Sequence, residues 1–150
     1  MSESKIVDVH RIREILPHRY PFLLLDRVID YEIDKSLRAI KNVTINEPFF
    51  QGHFPHRPVF PGVMMLEAMA QAAAVLASLC ENAQADSDII YLFAGIDKAR
   101  FKRQIEPGDQ MVIDVELKRR LKQMWKCAAD IKVDGELCAK ADVLFTYKHL

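Results

Sequence analysis

The sequence lacks a surplus of either charge: 21 Lys and Arg stand against 21 Asp and Glu, a formal net charge of zero. That balance argues against nucleic acid as the main partner and against general adsorption to anionic membranes. A cysteine pattern is missing too. Cys80, Cys127 and Cys138 are an odd number at unrelated spacings, with no CxxC pair and no zinc motif, and read as reduced thiols of a cytoplasmic protein. The N-terminal stretch MSESKIVDVHRIREILP interleaves charges with apolar residues and has no uninterrupted apolar core of a signal peptide. One long apolar run exists, Val63 to Cys80. It carries Glu67 and Gln71 and lies mid-chain, so a buried helix explains it better than a membrane insertion. Repeats, low-complexity stretches and dividing linkers are absent. So are a glycine loop for phosphate, a GxSxG elbow and a dinucleotide fingerprint.

What is there suits one domain over residues 1–150, long enough to bury roughly 68–70% of its unfolded surface without disulfide or metal. Residues 8–16 predict a short helix capped by Asp8 and stopped by Pro17. Residues 22–31 and 37–45 predict strands joined by a turn at Asp34-Lys35. A loop over 46–62 holds Pro48, Pro55, Pro58 and Pro61, a density that excludes regular helix and central strand. Helix 63–80 follows, with 15 hydrophobic residues of 18, so it has to be buried on all sides. After a polar loop at 81–88, residues 89–96 predict a strand.

The last third alternates with period two. Met111, Ile113, Val115 and Leu117 face one way, Cys127, Ala129, Ile131 and Val133 repeat the pattern, and Asp134-Gly135 supplies a tight turn. Leu137, Ala139, Ala141, Val143 and Phe145 return. The expected class is α+β: a curved antiparallel sheet wrapped around one long central helix.

Three features can carry chemistry. Glu67 interrupts the apolar helix, and Glu67, Gln71 and Ser78 fall within about 40° of one another on the helical wheel, a narrow polar stripe. A carboxyl there is paired, protonated, or at a cavity or interface; the bland alternative is an Arg partner elsewhere or a stripe that reaches solvent at the helix mouth. His53 lies in Gly52-His53-Phe54-Pro55, in the rigid loop that leads to the helix carrying Glu67. A loop histidine is often idle, yet this setting suits an acid–base pair at neutral pH. The helix mouth around Gly62, Val63 and Met64 offers free amides that can hold an oxyanion, or is a plain helix end. Together they fit proton abstraction beside a carbonyl followed by loss of a leaving group. A metal on His53 and His56 lacks helical geometry and a third ligand, so none is expected.

At this loop the sequence resembles a known family. The segments Asn46-Glu47-Pro48-Phe49-Phe50-Gln51-Gly52-His53-Phe54-Pro55, Pro58-Val59-Phe60-Pro61-Gly62-Val63 and Leu66-Glu67-Ala68-Met69-Ala70-Gln71 are similar to the FabZ-type (3R)-hydroxyacyl-[acyl carrier protein] dehydratases of fatty-acid synthesis. Leu16-Pro17-His18-Arg19-Tyr20-Pro21-Phe22, Asp97-Lys98-Ala99-Arg100-Phe101 and Pro107-Gly108-Asp109 look like family segments as well. The similarity covers residues 14–111, and the last third is compatible with it.

The resemblance implies a hot-dog fold and a cofactor-free lyase that turns a 3-hydroxyacyl thioester on acyl carrier protein, attached through 4'-phosphopantetheine, into the trans-2-enoyl product and water. It implies that His53 removes the C2 proton, that Glu67 helps the C3 hydroxyl leave, and that the amides of Gly62 and Val63 hold the thioester oxygen. It also implies a homodimer whose two catalytic residues come from different subunits, with three dimers forming a hexamer. Phe60 stands where Met is more usual and Leu25 where Val is frequent. Glu67 favours the dehydratase over the dehydratase–isomerase, which usually carries Asp there. An acyl-thioester hydrolase and a non-catalytic acyl-binding subunit are the remaining alternatives on this fold. Lys98, Arg100, Lys102 and Arg103 form a basic cluster that can dock the acidic carrier protein.

Overall fold

A helix that is apolar on nearly every face has to be surrounded, and the rest of the chain does this. The computed structural model describes residues 5–81 and 89–149. In chain order the elements are α1 (Val9–Ile15), β1 (Arg27–Glu32), β2 (Ser36–Asn42), a 3-10 turn (Pro48–Gln51), α2 (Gly62–Glu81), β3 (Ile89–Phe101), β4 (Gln110–Leu121), β5 (Met124–Val133) and β6 (Glu136–His149). The six strands form one sheet in the order β1-β2-β4-β5-β6-β3, antiparallel at every pairing. Helix α2 packs against β2, β4, β5 and β6. Eleven of its residues are buried, so this helix, long and apolar enough to cross a membrane, is the core of the α+β fold that the sequence predicts.

The alternation of the last third fills that core. Met111, Ile113 and Val115 of β4, Cys127, Ala129, Ile131 and Val133 of β5, and Ala139, Ala141, Val143 and Phe145 of β6 are all buried. Trp125 extends the β5 row one step further. It is fully buried, stacks on Phe145 and has the guanidinium of Arg120 4.3 Å from its ring centre. Asp134 and Gly135 have φ of 51° and 80°, the left-handed pair that a two-residue hairpin turn between right-twisted strands requires. Asp8 caps α1 by accepting the Arg11 amide at 3.0 Å.

Four expectations are corrected. The strand predicted over 22–31 begins at Arg27, because the backbone before it bonds a side chain: Leu24 N–H donates to Gln71 Oε1 and Phe22 C=O accepts from Gln71 Nε2. The proline loop contains a short 3-10 turn, which Pro48 tolerates at its first position. Strand β3 runs on to Phe101, past two register irregularities. Leu137 is off the inward face, because a bulge at Cys138 shifts the β5–β6 register and buries the cysteine instead. Residues 82–88 of the expected polar loop lie outside the described residues.

Candidate active site

The segment after the 3-10 turn folds on itself around His53. The carbonyl of Phe49 accepts from the amides of Gly52 and His53 at 3.2 and 3.1 Å, and the His53 carbonyl accepts from Val59 N–H at 3.0 Å. The imidazole Nδ1 lies 2.8 Å from the Val59 carbonyl oxygen. A carbonyl oxygen only accepts, so Nδ1 carries the hydrogen, and in the neutral ring the lone pair sits on Nε2. The ring also stacks on Phe54 at 4.1 Å. Behind the loop Phe49 packs edge-to-face on both Phe50 and Phe60.

Glu67 sits in the second turn of α2, about one-fifth exposed. One of its oxygens, Oε2, accepts from Gln71 Nε2 at 2.8 Å and lies 3.4 Å from His18 Nε2. Its partners are thus a glutamine one turn on and a histidine after α1, and the expected Arg alternative is not what pairs it. Gln71, 1% exposed, uses every polar atom of its amide. Further down the stripe Ser78 hydrogen-bonds Tyr91, whose phenol burial pushes above its ordinary pKa. His18, Glu67, Ala70, Ala74, Tyr91 and Phe145 are among the walls of a cavity of about 30 Å³, room for one water molecule.

At the helix mouth the amides of Met64 and Met65 turn back to the Pro61 carbonyl, leaving Gly62 and Val63 as the first amides of the helix. Val63 is 71% exposed. Phe101, the last residue of β3, covers Gly62 so closely that a Cβ there would meet its ring at 3.1 Å. A cavity of about 380 Å³ opens beside them, lined by Val59, Gly62, Phe101, Lys102 and Arg103.

Among the described residues the two candidates have different surroundings: His53 packs on Val59 and Phe54, and Glu67 faces Gln71, His18 and a cavity whose walls do not include His53. The basic cluster is split in the same way. Lys98 lines a groove on the outer sheet face, whereas Lys102 and Arg103 line the cavity beside Gly62, where Arg103 also pairs with Glu136 at 3.3 Å. Two groups here, His18 and Phe101, carry no signal of their role in the sequence pattern. Both lie far along the chain from the residues they touch, and no spacing rule links them.

The FabA-like domain model matches residues 16–142. A 3-hydroxyacyl-[acyl-carrier-protein] dehydratase FabZ of Burkholderia cenocepacia is 52% identical over 149 residues, covering 99% of this chain and 96% of that protein. One of Nitrosospira multiformis is 54% identical over 142 residues, covering 95% and 97%. The chain belongs to the FabZ dehydratase family. As a FabZ dehydratase it is a hydro-lyase of fatty-acid biosynthesis, and solved structures agree on its hot-dog fold. The dehydratase heterocomplex ApeI:P of Xenorhabdus doucetiae superposes with a TM-score of 0.79 at 19% identity, over 92% of this chain and 91% of that one. A hypothetical thioesterase of Streptococcus pneumoniae with coenzyme A gives 0.58 at 10% identity, over 81% and 84%, a likeness of fold alone.

Proposed function

We propose that His53 and Glu67 perform the dehydration of 3-hydroxyacyl-[acyl carrier protein] as base and acid, across the interface of a homodimer. The observation that carries the base is the His53–Val59 hydrogen bond, which leaves Nε2 free to accept a proton. Nε2 takes the proton from C2, and the electron pair moves onto the thioester oxygen. The amides of Gly62 and Val63 hold that oxygen as its charge grows. The enolate then collapses to the C2–C3 double bond, the C3–O bond breaks, and the hydroxyl leaves as water with a proton from Glu67. Gln71 and His18 hold the carboxyl in place for that transfer.

That the walls of the Glu67 cavity do not include His53 supports a site shared between subunits. So does the free edge of β3, where Leu92, Phe93, Ile96 and Phe101 are each about 40–51% exposed. The dimer is the unit of catalysis in this reading, a trimer of dimers its further assembly, and the cytoplasm its place. Lys98, Arg100, Lys102 and Arg103 meet the carrier protein, with Lys102 and Arg103 beside the cavity that admits the 4'-phosphopantetheine arm.

Complementation tests the shared site. His53→Ala and Glu67→Ala enzymes are each expected to be inactive on a 3-hydroxybutyryl carrier thioester. Co-expressed, they form heterodimers with one intact and one doubly damaged site, so random mixing returns about a quarter of wild-type activity. No recovery from verified heterodimers would place both residues in one subunit's site. Turnover by folded His53→Ala alone would remove the base.

A further inference from the structure

The inward face of β2 reads Leu37, Ala39, Lys41, and the lysine is 5% exposed where the alternation calls for an apolar side chain. An ammonium in that position has to be paired. Lys41 Nζ lies 2.8 Å from Glu47 Oε1, the side chains 7% and 12% exposed, and donates to the Asn42 carbonyl at 3.3 Å. The other Glu47 oxygen accepts the Thr44 amide at 3.1 Å, and the Glu47 carbonyl accepts from Phe50 N–H at 3.2 Å. The carboxylate is thereby fixed at the entrance of the loop that carries His53. At the exit, the Phe60 ring centre lies 6.0 Å from the same ammonium. Phe60 is in turn held by Phe49 at 5.5 Å and by its own amide, which donates to the Ile105 carbonyl at 2.7 Å. One cation is therefore paired with the entrance of the segment 47–60 and faced by the ring at its exit. His53 hangs between them on the carbonyls of Phe49 and Val59.

We propose that Lys41 is a positioning residue for His53. Paired with Glu47 and faced by Phe60, its ammonium sets the spacing of the two loop ends and so the aim of the imidazole. Replacing a buried ion pair by neutral groups of similar volume is often harmless to stability, so stability alone does not account for charge here. The proposal rests on His53 being the catalytic base.

The test is the full-length Lys41→Met/Glu47→Gln double variant, which removes both charges and keeps the volumes. It is compared with wild type by thermal melting, steady-state kinetics and the NMR signals of labelled histidine, with His53→Ala assigning the His53 signal. A folded variant is expected with kcat down about ten- to a hundredfold, because ångström-scale misplacement of a catalytic group costs that much, and KM within about twofold. The His53 signal is expected to move. Wild-type kcat in the folded double variant overturns the proposal, and so does a lost kcat with the His53 signal in place. Should the double variant fail to fold, Glu47→Asp keeps both charges and shortens the reach; it too is expected to lower kcat selectively, and wild-type kcat there overturns the proposal. His53→Ala with full turnover would instead remove the base assignment itself, a separate failure.

Discussion

His18 Nε2 lies 3.4 Å from Glu67 Oε2, and the side chains are 19% and 20% exposed. One residue follows α1 and the other lies on the central helix, so the contact ties the acid to the N-terminal segment. His18 Nδ1 is buried with no hydrogen-bond partner among the described residues, and Glu67 faces the ring's other nitrogen. His18→Phe keeps the ring's bulk and removes the contact. The contact orients the carboxyl, and a misplaced catalytic group costs up to about a hundredfold, so kcat is expected to fall about tenfold while the melting temperature stays close to wild type. Unchanged kcat in that variant would assign His18 to packing alone.

Small residues leave the space beside the acid. Ala70 and Ala74 follow Glu67 by three and seven positions, on the same helix face, and both line its cavity with Tyr91 and Phe145. Ala70→Leu fills that space. Its kcat/KM is expected to drop about tenfold more for a twelve-carbon than for a four-carbon substrate, an excluded-volume effect of a few methylenes. Competition between the two thioesters measures it, and equal losses would send the acyl chain elsewhere.

Charge reversal at Lys102 addresses carrier docking. Lys102→Glu is expected to raise KM for carrier-linked substrate roughly tenfold, an effect that shrinks as salt is added, and to spare a small thioester analogue. Equal losses on both substrates would place the lysine in the chemistry and not in the docking.

A row of charges crosses the outer sheet face. Strand pairing sets Asp30 beside Arg38, Arg38 beside Asp114, Asp114 beside Asp130, Asp130 beside Lys140, and Lys140 beside Arg100. The row holds two like-charged neighbour pairs, Lys140 with Arg100 and, among the acids, Asp114 with Asp130. Arg38 grips Asp114 at 2.7 Å, whereas Asp130 Oδ1 is buried with no hydrogen-bond partner among the described residues. Partial burial, and then the Asp114 charge, push the Asp130 carboxyl above its usual range. The folded protein therefore holds that proton more tightly than the unfolded chain does, and stability is lost as pH rises from the ordinary Asp pKa through the raised one. Asp130→Asn is expected to melt higher than wild type at pH 7 and to lose that advantage below about pH 4. Paired melting curves at the two pH values check the sign.

The parts of the fold legible in the sequence are those that local rules decide. Fifteen apolar residues in eighteen put α2 in the core, Asp134-Gly135 made the hairpin, and Asp8 capped α1. The site was legible where its residues broke a local pattern, as Glu67 breaks an apolar helix. What failed to show was decided at a distance. The strand start at Arg27 depends on Gln71 capturing the Phe22 and Leu24 backbone, and the Cys138 bulge is a property of the β5–β6 pair rather than of either strand. Lys41 does break the alternation of β2, but a single lysine at a strand end reads as a solvent-facing one until Glu47 and Phe60 are seen around it.

Gln71 has a consequence for the ageing of the protein. Its oxygen accepts from Leu24 while its nitrogen spends both hydrogens, one on Phe22 and one on Glu67, so the amide has one workable orientation. Hydrolysis of that amide would exchange one nitrogen for oxygen and leave two acceptors facing the new carboxylate, in a place water barely reaches. A single deamidation event there would silence the acid and loosen the N-terminal segment together, and the same burial that makes it ruinous also keeps it rare.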